Sequence, residues 1–159
     1  MSQRAKDLSR RLEMFAAEVA SFVEDLSGDD WKRVCKWEEW TVGDTARHIG
    51  AGHFAISDFI GKMANGEALP QLTMDQVNAM SKKDVEEHSG CTQAEALRLL
   101  RENGADLAAF IAGLSDDQLD RKASMPAFGG EVTTEQFIDA VLFQSGGQHF
   151  ESMKTAVGK

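Results

Sequence analysis

The sequence predicts an all-α protein built as a bundle of four long helices with one or two long connections. Four segments repeat apolar residues at alternating spacings of three and four, which is the period of one helix face. Three of them begin at a threonine followed three residues later by Asp, Glu or Gln, a typical helix start. No segment shows a convincing strand pattern. A length of 159 residues favours one domain covering residues 1–159.

The first two predicted helices are defined by their apolar stripes. The first covers residues 3–26 and ends at the polar residues 27–30; its stripe comprises Leu8, Leu12, Phe15, Val19, Phe22, Val23 and Leu26. The second begins at Thr41 and is closed by Gly66 and Pro70. Its stripe comprises Ala46, Ile49, His53, Ile56, Ile60 and Met63.

The third helix begins at Thr92, and its stripe comprises Leu97, Leu100, Gly104, Leu107, Ile111 and Leu114. The fourth runs from Thr133 to about Ala156 with the inward positions Ile138, Val141, Leu142, Ser145 and His149. Residues 74–87 are predicted as a short helix that crosses the bundle. The similar stretches LSGDDW (26–31) and LSDDQL (114–119) indicate helix ends followed by short acidic turns, and residues 125–132 form at most an extended loop.

Composition excludes several classes of partner. The formal net charge of -9 and the pI of about 4.9 disfavour nucleic acid and anionic membrane surfaces. No apolar run has the length of a membrane span, and the first residues lack the apolar core of a signal peptide. Cys35 and Cys91 show no zinc-type spacing, which favours reduced thiols and a cytoplasmic protein.

Histidine is the side chain that most readily binds metal or acts as a base at neutral pH. Of the four histidines, His53 is predicted to be more inward than His48, because five residues turn a helix by about 140°. His48 is expected to face a groove of the bundle, and His149 is expected to line one. The fourth, His88, lies near the end of the crossing helix.

Two adjacent glycines precede His149 within the fourth helix. Each costs roughly 1 kcal/mol relative to alanine in a helix interior. Gly146 and Gly147 therefore indicate either close helix packing or a kink, or else room for a ligand against bare backbone. The tryptophans Trp31, Trp37 and Trp40 are predicted to form a small satellite core with a buried, inert Cys35.

Residues 40–49, WTVGDTARHI, resemble the WTVxDxxxHL motif that opens the second helix of DinB-like proteins. The chain is most similar to the branch containing the N-terminal domain of mycothiol-dependent maleylpyruvate isomerases. This resemblance implies an antiparallel four-helix bundle with a divalent metal, zinc or nickel, in its groove. The implied ligands are His48, His149 and the residue one turn before His149, which is Ser145 here instead of the usual His or Glu.

The resemblance implies an enzyme that activates a low-molecular-weight thiol for transfer or isomerisation, with a small thiol or a hydrophobic molecule as ligand. Because serine is a weak ligand, a DinB-like binding or stress-associated module without metal or catalysis is the alternative. A third hypothesis is a structural homodimer whose histidines only pack. His53, Gln144 or Gln148 could replace the missing ligand if the helix bends at its two glycines.

Overall fold

A computed structural model describes residues 2–159 and confirms the four-helix bundle. The helices are α1 (Gln3–Glu24), α2 (Gly28–Trp31), α3 (Val42–Ala64), α4 (Met74–Glu87), α5 (Gln93–Ala112), α6 (Asp116–Asp120), α7 (Thr134–Ile138) and α8 (Gly146–Ala156). A π-helical segment, Asp139–Ser145, joins α7 to α8. The four members of the bundle are therefore α1, α3, α5 and the continuous unit from α7 to α8.

The helix starts follow the predicted threonines. Thr41 caps α3, since its hydroxyl accepts the backbone N–H of Asp44 at 3.0 Å. The Asp44 carboxylate does not return a hydrogen bond to the Thr41 backbone but accepts hydrogen bonds from Ser89 Oγ and the Gly90 N–H. Asp44 thus fixes the end of the α4–α5 connection against the start of α3.

The fourth predicted helix begins with a complete capping box between Thr133 and Gln136. The two similar acidic stretches form α2 and α6, each also begun by a capping box. Residues 74–87 form α4 as predicted. These starts need only side chains three residues apart, and they can therefore be read from local sequence.

Neighbouring helices run in both relative directions. α1 and α5 are antiparallel, with Ser9 Oγ donating to the Ala108 carbonyl near one end. α3 and α5 run parallel, because the Asn103 amide donates to the Gly50 carbonyl while Phe110 lies beside Gly61 farther along both helices. Two parallel helices need a long connection, because the chain must return to the same end of the bundle before the second helix begins, and the segment that contains α4 provides this connection.

The apolar interior has two parts along the bundle. One includes Leu12, Ile60, Leu107, Ile111, Ile138 and Leu142, and the other includes Val23, Ile49, Leu100, Phe150 and Met153. The α7–α8 unit contributes to both. Among residues 2–159, no helix is long and apolar enough to cross a membrane.

The prediction that no strand is present is wrong. Lys122–Met125 (β1) pairs antiparallel with Gly130–Thr133 (β2), and a 3-10 turn at Pro126–Phe128 joins them. Gly129 closes this turn at φ 70°, a conformation that suits glycine. β1 alternates polar and apolar residues over only four positions and β2 does not alternate, so periodicity was too short a signal to reveal the hairpin.

Two glycines of α3 provide a matched test of the packing between α3 and α5. A Cβ on Gly50 would lie 2.9 Å from the Leu100 backbone nitrogen, which cannot move aside as a side chain can. We expect Gly50→Ala to destabilise the protein by about 1–3 kcal/mol, since it overpacks this contact. Gly52 has no heavy atom within 4 Å of its Cβ position. We expect Gly52→Ala to stabilise by roughly 0.5–1 kcal/mol. Urea denaturation measures both, and equal effects would contradict the close approach.

Candidate metal centre

His48 on α3 and His149 on α8 face one another, because these two helices run antiparallel side by side. Their ring centroids are 5.1 Å apart, and their ring planes cross at 85°. The pairing predicted from the motif and from the last helix is thus formed, by residues a hundred positions apart in the chain. The site lies between the start of α3 and the middle of α8.

The spacing of the two rings suits a shared metal ion. Two imidazoles bound to one tetrahedral ion through nitrogens at about 2.0–2.1 Å have ring centroids roughly 5 Å apart. Burial, together with the charge of His149, lowers the pKa of His48 to about 4. His48 is therefore neutral at pH 7, which is the form in which histidine binds metal. The pair fits two ligands of a divalent ion and leaves the remaining positions for water or substrate.

Glu38 orients the second of these rings. Its Oε2 accepts His149 Nδ1 at 2.8 Å, and its Oε1 accepts Ser152 Oγ at 2.7 Å. Only 8% of the Glu38 side chain is exposed. Because the carboxylate accepts a hydrogen bond from the Nδ1–H group, the proton of a neutral His149 stays on Nδ1 and its Nε2 keeps a free lone pair. A carboxylate behind a histidine is a common support for a metal ligand.

A tight turn positions Glu38 at the site. An isolated bridge between Val34 and Thr41 closes its base, and the Cys35 N–H donates to the Trp40 carbonyl at 2.7 Å. Glu39 occupies the left-handed region at φ 63°, the one residue other than glycine with positive φ among residues 2–159. Such strain persists where surrounding contacts fix the backbone, and here it reverses the chain between two residues of the site.

Trp40 packs against both histidines. Its ring centroid lies 5.0 Å from that of His48 and 6.0 Å from that of His149, nearly parallel to the latter. The predicted satellite core is therefore wrong for Trp40, which belongs to the site, and for Trp37, which is 68% exposed. Trp31 is half-buried and donates its indole N–H to the Cys91 carbonyl. Residues of a tight turn face different sides, and a prediction based on helix periodicity does not describe such a turn.

Cys35 is fully buried below this turn, as predicted. The Thr45 hydroxyl donates to its sulfur at 3.4 Å. Burial raises the pKa of the Cys35 thiol, so the thiol stays protonated at neutral pH. Cys35 therefore supports the turn and is not an activated nucleophile.

Ser145 does not lie on the inward face predicted for it. It is exposed at the end of the π-helical segment, and the neighbouring Gly146 is buried instead. A π-turn takes in one residue more than an α-turn, so every later residue is rotated relative to the regular helix that the prediction assumed. Val141 is only partly buried for the same reason, while His149 remains half-buried at the edge of the site.

The two glycines have different surroundings. A Cβ on Gly146 would lie 3.3 Å from Cζ of Phe15, whereas that of Gly147 meets nothing within 4 Å. The close-packing interpretation is thus correct for Gly146. Gly147 opens onto free space.

His53 lies elsewhere, buried at the contact between α3 and α5. It is 3% exposed, and its Nδ1 has no hydrogen-bond partner. The prediction that His53 is more inward than His48 is confirmed, but the structure does not bring His53 to the His48–His149 pair. Within residues 2–159, no cluster of three or more His, Cys, Asp or Glu side chains could hold a metal ion.

Glu38, Trp40 and Ser152 are the site residues that sequence reasoning missed. Ser152 lies three residues beyond His149, on the same helix face, and this spacing was an available signal. Trp40 begins the recognised motif, so its position was also a signal. Glu38 had none, because a turn residue has no periodicity and its partners lie more than a hundred residues away.

The fold and the paired histidines define a DinB-like four-helix-bundle protein. A family model described as the mycothiol maleylpyruvate isomerase N-terminal domain matches residues 12–142, and the chain belongs to this family. No curated protein matches the sequence.

A solved structure of similar fold is that of YfiT from Bacillus subtilis, described as "a probable metal-dependent hydrolase with an unusual four-helix bundle topology". The TM-score is 0.77 at 19% identity, over 99% of this chain and 90% of that one. At this identity the likeness shows the fold alone.

Proposed function

We propose that the protein is a divalent-metal-dependent enzyme that activates a small thiol at the His48–His149 pair. The observation that carries this proposal is the 5.1 Å spacing of the two rings, with Glu38 bound to Nδ1 of His149. A bound zinc or nickel ion would act as a Lewis acid and lower the pKa of a thiol. The reaction class is thiol transfer or thiol-assisted isomerisation.

The residues of the chain have separate tasks in this function. His48 supplies a neutral imidazole, since its pKa of about 4 keeps it unprotonated across the physiological range. Glu38 holds His149 in the tautomer that leaves Nε2 free. Trp40 covers both rings and excludes water from one side of the pair.

The comparisons support the two halves of the proposal separately. The family description names a mycothiol maleylpyruvate isomerase, and mycothiol as part of that name supports a thiol as substrate. The description of YfiT as a probable metal-dependent hydrolase supports a metal, but with water as the attacking group. A hydrolase would act without an added thiol, so the two reaction classes can be separated by experiment.

A binding module without metal or catalysis is the second candidate. Ser145 favours it, because the residue in the usual position of the third ligand is exposed and is a weak ligand. The partly covered histidine pair would then serve as a polar contact for a small molecule.

Metal analysis of untagged protein tests the proposal. We expect about one zinc or nickel ion per chain. We also expect the protein to accelerate the addition of a small thiol to an electrophilic acid. This rate should fall to the uncatalysed background when a chelator is added and should return when metal is restored. We expect the pH profile of this rate to shift to lower pH with metal, because a lower thiol pKa supplies thiolate earlier. Metal-free protein whose melting temperature is unchanged by zinc or nickel would leave the binding module as the better reading.

A further inference from the structure

We propose that a cleft between α3 and α5 is a second binding site, for a small organic ammonium ion with an apolar body. The cleft has a volume of about 690 Å³, which lies within the usual size range of ligand sites. None of its lining residues belongs to the His48–His149 site. Those used below are His53, Phe54, Asp58, Lys62, Asp106 and Phe110.

Two phenylalanines give the cleft its apolar walls. Phe54 of α3 is 73% exposed, and Phe110 of α5 is 41% exposed. Phe110 reaches α3, since its Cζ lies 3.7 Å from the Cβ position of Gly61. Exposed aromatic rings on two adjacent helices offer apolar contact to a ligand, and their faces attract cations.

The charge around the cleft selects the sign of the ligand. Asp58, Glu67 and Asp106 line it, against the single cation Lys62. Lys62 is engaged by Asp58 at 3.0 Å, and within residues 2–159 Asp106 makes no ion pair. The lining therefore has a formal charge of minus two, which favours a cation and disfavours an anion of the same shape.

The ring of His53 forms part of the floor of the cleft. It lines the cleft, is 97% buried, and leaves Nδ1 without a partner. This nitrogen is fully buried and lies 3.8 Å from the Cβ position of Gly104, which does not line the cleft, so the polar contact to a ligand comes from the carboxylates and not from His53. Burial lowers the pKa of His53 to about 4, so the ring is neutral at pH 7 and does not repel a cation.

The probe for this site is 2-phenylethylammonium, with 3-phenylpropionate as an anion of similar shape. Both are titrated into the full chain in the presence of a chelator, so that the result is independent of any metal at His48. Backbone amide spectra and calorimetry report the position and the strength of binding. We expect the ammonium ion to shift amides of α3 and α5 around residues 53–62 and 103–110, and the anion to shift none.

Variants test the two walls of the site. We expect Phe110→Ala to weaken binding about three- to thirtyfold, because it removes one aromatic face. We expect Asp106→Asn to weaken it about fivefold, because it removes one unpaired charge. The matched control is Glu102→Gln, one turn earlier on α5, paired with Arg98 and outside the cleft. It should bind as the parent protein does.

Three results would overturn the proposal. They are equal binding of anion and cation, shifts that map to His48 and His149 instead of the cleft, and affinity that Asp106→Asn and Phe110→Ala leave unchanged. Light scattering accompanies the titration. A dimer that Phe110→Ala converts to monomer would assign the two phenylalanines to a second copy of the chain, and would overturn the proposal as well.

Discussion

The His48→Ala protein is expected to bind zinc at least about a hundredfold more weakly than the parent protein. The substitution removes one of the two imidazole donors, and no cluster of three or more His, Cys, Asp or Glu side chains among residues 2–159 could hold the ion in their place. Competition with a chromophoric chelator at neutral pH measures this affinity directly. His88→Ala is the matched control, because His88 is an exposed histidine at the end of α4 that pairs with Asp84 and with neither His48 nor His149.

Glu38→Gln should give a smaller loss in the same assay, about ten- to a hundredfold. Its amide oxygen can still accept the His149 N–H but carries no charge, and replacing such a supporting group typically has an effect of this size. An unchanged affinity in His48→Ala would contradict the assignment of the site. An unchanged affinity in Glu38→Gln would contradict only the role of the carboxylate.

We expect the stability of the protein to fall by about 2–3 kcal/mol through His53 alone as the pH decreases from about 8 to about 4.5. Burial lowers the pKa of His53 from 6.5 to about 4 in the folded protein. The folded state therefore favours the neutral ring. The contribution of His53 to the free energy of unfolding is complete above pH 6.5. As the pH falls below 6.5, protons bind this histidine in the unfolded chain but not in the folded protein, and the contribution decreases until the pH reaches the folded pKa of about 4.

The measurement is urea denaturation of parent and His53→Leu proteins across this pH range, with a chelator present. His48 also has a lowered pKa, so the parent curve contains both histidines, and the difference between the two curves isolates His53. Leucine changes packing too, which moves the whole curve, so the slopes are compared and not the absolute values. Parallel curves would show that His53 is not buried as a neutral ring.

How much of the fold the sequence revealed depended on whether the signal was local. The capping residue Thr133 and its partner Gln136 act within one turn, and the helix start they predicted is present. The inward position of His53 followed from the regular rotation of α3. The β1–β2 hairpin was missed, because four-residue strands carry too few positions for a period to show.

The candidate site was predictable only in part. His48 and His149 came from a motif and a resemblance, and the structure brings their rings together. Ser145 was placed inward by extending the stripe of Ile138 and Leu142 along a helix assumed to be regular, and the π-helical segment rotates Ser145 away from that stripe. Glu38 reaches His149 only through the fold of a distant turn, and no pattern within either segment records that contact.

The π-helical segment also affects how this chain is aligned with its relatives. The N–H of Gly146 bonds to the carbonyl of Val141, five residues back, so the helix holds one residue more than a regular helix of the same rise. The family match ends at residue 142, within this segment. Residues before and after this segment are therefore offset by one position relative to a regular helix, so the stripe of Ile138 and Leu142 does not continue with a regular period into α8. Homologues should therefore be aligned here by structural register, with an insertion allowed between residues 139 and 145.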